Sequence, residues 1–121
     1  MPHAPLPLPG RWQMIRAELD GESAPELVAQ HTELHLTAAT YAVRFNGRII
    51  DQGAFETDAS RAEKVIVLRG ESGPNAGRTI PGIFQLVRDR LRICYGLNGV
   101  TPTEFTTAPN QARYLAFYRR V

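Results

Sequence analysis

Tyr41-Ala42-Val43-Arg44-Phe45-Asn46-Gly47-Arg48-Ile49-Ile50 is the stretch that decides the fold. Residues 41–45 alternate large apolar side chains with small or polar ones, the period of a half-buried strand. Asn46-Gly47 follows at once. A type I′ turn needs positive φ at both central residues, and Asn followed by Gly tolerates that at least cost. The run therefore predicts a tight hairpin between two antiparallel strands.

Working outward, the same grammar repeats. Leu34-His35-Leu36 alternates, and Val65-Ile66-Val67-Leu68 is a continuous apolar run rich in β-branched residues. Ile83-Phe84-Gln85-Leu86 and Leu91-Arg92-Ile93 flank a short turn at Asp89, and Tyr114-Leu115-Ala116-Phe117-Tyr118 closes the chain. Turn signals recur at Asp20-Gly21, Gly70 to Gly77 and Asn98-Gly99. This predicts strands near 11–19, 32–38, 41–46, 48–57, 63–69, 78–87, 90–96 and 112–119, with a further short extended piece near 103–107. One segment reads as helix: Ser23 as N-cap and Glu26 three residues on have capping-box spacing, with Pro25 in the first turn. Eight antiparallel strands joined in order avoid exposed edges by closing up. The expected fold is all-β, a single up-and-down eight-stranded barrel with one short helix after the first strand. Its interior either fills with side chains or holds one small ligand.

At 121 residues and 13.5 kDa the chain makes one domain. Prolines at 2, 5, 7 and 9 make residues 1–9 an extended arm, so the folded domain is expected to span 10–121. Hydrophobic residues are 43% and charged residues 21%, which excludes a disordered chain. No signal-peptide pattern or spanning run appears, and the chain as given reads as cytoplasmic. Net charge is only +2, and the cations, all arginine except Lys64, are spread singly. The nearest thing to a basic row is Arg88/Arg90/Arg92 around a turn, less than the stripe a nucleic-acid binder shows. Nucleic acid is therefore not expected as a partner. Cys94 is the single cysteine, so no intrachain disulfide forms, and its apolar strand context suits a buried inert thiol.

Gly10-Arg11-Trp12 opens the first strand, and four further pieces follow in order: 73–79 (Gly-Pro-Asn-Ala-Gly-Arg-Thr), 82–86 (Gly-Ile-Phe-Gln-Leu), 91–95 (Leu-Arg-Ile-Cys-Tyr) and 102–105 (Pro-Thr-Glu-Phe). Together they resemble an uncharacterised bacterial lipocalin-like domain family abundant in planctomycetes, from about Gly10 to Arg120. The resemblance implies a calycin-type barrel whose closed end is plugged by Trp12, with an arginine of the last strand, Arg119 or Arg120, over the indole as a cation–π contact. It brings no catalytic residue.

If Trp12 points inward, regular alternation carries Met14, Arg16 and Glu18 to the same face. Because a buried charge is costly unless paired, Arg16 and Glu18 either sit at the open mouth in water, the favoured placement, or line a polar pocket. The same rule puts Leu34, Leu36, Tyr41, Val43, Phe45, Phe55, Phe84 and Tyr95 on the inner face. Met14, Arg16, Glu18, Tyr41, Phe45, Phe55, Phe84 and Tyr95 are thus the candidate ligand-binding residues. An aromatic lining with one or two charges suits a small hydrophobic or amphipathic molecule. Metal is not expected: His31 and His35 lie about 13 Å apart if the segment is a strand, beyond joint chelation of one zinc ion. Neither a Gly-x-Ser-x-Gly elbow nor a phosphate loop is present, and no cofactor is implied. Arg16, Glu18, Arg44, Asp51 and Glu104 are the charged groups available for acid–base work if a pocket gathers them. Three functions compete. The first is a lipocalin-like binding module. The second is an interaction protein using a sheet face or the N-terminal arm. The third is a cofactor-free cyclase or isomerase, which requires Arg16, Glu18 and Tyr41 or Tyr95 to converge.

Overall fold

In a computed structural model the described residues are 8–58, 60 and 64–121. Most of the proline-rich arm, residues 1–7 with His3, lies outside them. The elements run β1 (Gly10–Leu19), β2 (Glu22–Ser23), α1 (Glu26–Gln30), β3 (Thr32–Leu36), β4 (Thr40–Phe45), β5 (Arg48–Asp58), β6 (Lys64–Ser72), β7 (Thr79–Val87), β8 (Arg90–Gly96) and β9 (Arg113–Arg120).

β1 and β3 to β9 pair antiparallel in sequence order, and β9 returns to pair with β1. The eight strands form one closed barrel. Every long strand has two partners, which removes the free edges an open sheet would expose. β2 is a two-residue addition folded back on the end of β1, Glu18 opposite Ser23. The decisive hairpin is as expected: Asn46 has φ 52° and Gly47 φ 79°, joining β4 to β5.

The core is the barrel lumen. Trp12, Tyr41, Ile66, Leu91 and Ile93 are fully buried there, with Met14, Leu34, Leu36, Phe55, Phe84, Tyr95 and Tyr118 beside them. Each such side chain contributes about 1.5–3 kcal/mol by leaving water. A second, smaller cluster of Ile83, Cys94 and Leu115 sits on the outer wall of β7 to β9, under Phe105 and Phe117. The connection 97–112 is draped over that wall, so its apolar outward residues are covered.

Two local expectations are corrected. Ser23 is not the helix cap. It belongs to β2, and the helix starts from Pro25 at φ −55°, with no side-chain cap bond. The chain is recruited into the ladder instead, Ala24 N–H donating to Ala17 O at 2.8 Å. No strand forms at 103–107; that piece lies across the outer wall, its Phe105 ring under the Arg92 guanidinium at 3.9 Å.

Candidate functional site

The inner and outer faces are sorted by a bulge in β1. Met14 pairs with Tyr118 and Arg16 with Phe117, so Ile15 is an extra residue without a partner. One inserted residue exchanges the faces beyond it. Trp12, Met14 and Ala17 point inward; Ile15 and Arg16 are exposed. Arg16 and Glu18 therefore lie on the outer wall, contrary to strict alternation. Arg16 rests on the Phe117 ring at 3.9 Å and bonds Glu18 at 3.1 Å, and Glu18 also accepts from the Thr107 hydroxyl at 3.3 Å. They do not converge with Tyr41 or Tyr95, which face the lumen.

At the barrel end that carries the Asn46-Gly47 turn, the inner wall holds a polar group the apolar pattern did not announce. Asp51 lies opposite Val43 on β5 and is 7% exposed. A further irregularity makes this possible: Arg44 pairs with Ile49, so Ile50 is extra and Asp51 turns inward while Ile49 and Ile50 face water. The Asp51 carboxylate accepts from Asn75 Nδ2 at 2.7 Å and, at 3.5 Å, from the Tyr41 hydroxyl. Arg78 orients Asn75, donating to its Oδ1 at 3.0 Å and to Leu97 O at 2.6 Å.

Glycines bring Asn75 there. A Cβ on Gly70 would stand 1.9 Å from Asn75 O, and one on Gly73 would stand 2.4 Å from Ile50 O. Gly73 also has φ 92°. The glycine-rich stretch is thus a connection folded back over the barrel end, rather than a plain hairpin turn.

Tyr41 on β4 and Tyr95 on β8 feel this carboxylate, and Tyr114 and Tyr118 on β9 continue the tyrosine cluster from Tyr95. Burial, then the Asp51 charge and hydrogen bond, push the Tyr41 phenol up to about 12. Burial also holds Tyr95 well above its ordinary range, with Tyr114, Tyr41 and Asp51 adding to it. Tyr114 and Tyr118 are raised by burial as well. Tyr95 and Tyr114 stack at 6.1 Å between ring centroids. At neutral pH all four are therefore neutral, and Tyr41 is the one whose hydroxyl donates to Asp51. A carboxylate has about four lone-pair positions. Two bonds, one of them long, leave Asp51 with acceptor capacity.

At the opposite end Trp12 is completely buried, and its indole N–H donates to Leu8 O at 2.9 Å. Arg120, not Arg119, lies over the indole at 4.3 Å, and its Nη1 donates to Pro9 O at 3.0 Å. Arg119 points outward and is exposed, as its neighbours along β9 alternate. Gly10 makes room for that arginine, since a Cβ there would meet Arg120 Nη1 at 2.6 Å.

Among the other candidates, Met14, Phe55 and Phe84 line the lumen. Phe45 has inward parity but is only half-buried, at the rim, with the His31 ring 6.1 Å away. His31 follows the helix instead of lying in a strand, and its Nδ1 is 2.8 Å from Leu27 O. His35 Nε2 approaches Glu33 at 2.8 Å; this bond, ahead of the opposing effect of burial and the contribution of Arg11, lowers the Glu33 carboxyl. Among the described residues no group of three or more His, Cys, Asp or Glu side chains is placed to hold a metal ion, and no helix is long and apolar enough to cross a membrane. Arg44 and Glu104 stand apart from the Asp51 group: Arg44 donates to Gly47 O at 3.1 Å, and Glu104 accepts from Thr106 at 3.4 Å.

Comparisons of the chain with protein-family models, with curated proteins and with solved structures return no match.

Proposed function

We propose that the protein is a lipocalin-like binding module that takes a small amphipathic molecule into the barrel, apolar body against the aromatic lining and polar end on Asp51. The observation that carries this reading is the carboxylate on the inner wall with unused acceptor capacity. Burying a charge is costly unless it is paired, and Asp51 has two hydrogen bonds but no ion pair among the described residues. The polar end of the ligand is then a hydrogen-bond donor, an amine above all. Tyr41, Tyr95 and Tyr114 supply a polarisable wall beside it, and Met14, Phe55 and Phe84 the apolar lining. Binding sites for small molecules combine an apolar lining with a few convergent polar groups.

Native mass spectrometry of the full chain with dodecylamine and with dodecanoate tests the reading. A one-to-one adduct with the amine, absent with the carboxylate and lost in Asp51→Leu, is the expected result. Equal retention of both amphiphiles, or an amine adduct unaffected by Asp51→Leu, overturns it.

A further inference from the structure

The outer wall carries a second feature that the internal site does not use. A groove of about 250 Å3 crosses β1, β9, β8 and β7. One register row across these strands reads Arg16, Phe117, Arg92, Gln85, and the next reads Gln13, Arg119, Arg90, Val87. Four arginines thus share one face. The guanidinium carbons of Arg16 and Arg92 each lie over a phenyl ring at 3.9 Å, Phe117 and Phe105 respectively. A guanidinium held on a ring can still present N–H groups at its edge to a carboxylate. Arg92 Nε is buried and has no hydrogen-bond partner. Arg92 and Arg119 have no acidic partner among the described residues, while Arg16 and Arg90 have Glu18 and the exposed Asp89.

We propose that this face docks an extended acidic peptide segment of a partner protein. Arg90 and Arg92 alternate on one strand and so stand about 6.6–6.8 Å apart, the repeat at which every second side chain of an extended peptide falls. Arg119, directly opposite Arg90, widens the cationic end. Phe117, Val87 and Ile15 give the groove an apolar wall for one aliphatic side chain of the same segment. The barrel is closed, so the peptide cannot add as a strand and is read through its side chains. A nucleic-acid strand is disfavoured by the apolar wall, by Glu18 and Asp89 within the patch, and by a net charge of only +2.

The probe is a fluorescein-labelled Asp-Ser-Asp-Ser-Leu-Ser-Asp peptide, titrated with the full chain and followed by fluorescence anisotropy. Saturable binding that weakens as salt rises is expected. Arg92→Gln and Arg119→Gln should each lower affinity about tenfold. Arg69→Gln, on the far side of the barrel with Glu56, should leave it unchanged, and so should Asp51→Leu, which separates this site from the internal one. Arg119 is exposed, so its variant stays informative even if Arg92→Gln disturbs Phe105. Absence of binding at about 1 mM chain, equal losses in Arg69→Gln and Arg119→Gln, or equally tight binding of a single-stranded oligonucleotide of the same charge overturns the proposal.

Discussion

Replacing Arg120 with methionine, beside the same replacement at Arg119, isolates what holds the sealed end of the barrel. Methionine keeps an unbranched stem, so the change removes the charge and the hydrogen bond more than the packing. At position 120 the loss is a guanidinium 4.3 Å from the Trp12 ring and a 3.0 Å bond to Pro9 O. A half-buried cation–π contact contributes about 1 kcal/mol. A hydrogen bond from a charged donor contributes about 1.5 kcal/mol at the lower end of its range, where a partly exposed donor belongs. Arg120→Met should therefore cost about 2.5 kcal/mol, or about 10 °C in Tm for a domain of this size. Arg119→Met should cost less than about 0.5 kcal/mol, because an exposed side chain without a partner loses little. Thermal unfolding followed by circular dichroism gives both numbers, and fluorescence of the single tryptophan should report a changed environment in the first variant alone. Equal losses, or the larger loss at 119, would refute the placement of Arg120 over the indole.

Three more expectations follow from the same geometry. Tyr41 ionises in the unfolded chain near its ordinary value of 10 but in the folded one only at about 12. The unfolded state therefore sheds its proton first, so the full stability is present below pH 10 and is lost as pH rises through 12, by about 2–3 kcal/mol for this group alone. Tyr95, Tyr114 and Tyr118 add in the same direction, so alkaline titration should show tyrosinate absorbance appearing together with unfolding instead of before it. Gly70→Ala should destabilise by about 2 kcal/mol or more and should weaken the amine adduct, since the added carbon meets Asn75 backbone at 1.9 Å; urea unfolding together with native mass spectrometry checks it. Cys94 is fully buried beneath the 97–112 connection, with burial raising its thiol, so a thiol reagent should modify the native protein no faster than that connection opens.

Most of the fold was legible, because a two-residue period and Asn-Gly or Asp-centred turns mark strands and hairpins directly. The strand pattern located all eight barrel strands to within a few residues at their ends. The site was harder to read, for a physical reason. The placement of Arg16 and Glu18 on the inward-facing side of β1 rests on unbroken alternation, and a bulge at Ile15 exchanges the faces. Nothing in Met14-Ile15-Arg16 signals a bulge, since no glycine or proline marks the extra residue; it shows only in pairing with β9. Asp51 was visible as a charge but not as an inward one, because the extra residue at Ile50 turns it. Asn75 was missed because the glycine-rich stretch suits a surface turn equally well. The signal that could have found it is the close packing of Gly70 and Gly73, positions where any side chain collides with backbone. Arg119 and Arg120 could not be told apart by sequence, as the choice depends on the register of β9 against β1.

The most direct test of internal binding is an NMR titration of the isotopically labelled chain with dodecylamine. The account predicts that the largest shifts fall on the rings of Tyr41, Phe55 and Tyr95 and on the Asn75 side-chain amide, and that they vanish in Asp51→Leu. Shifts confined to outer-wall residues such as Val87 and Phe117, with the lumen unmoved, would contradict it.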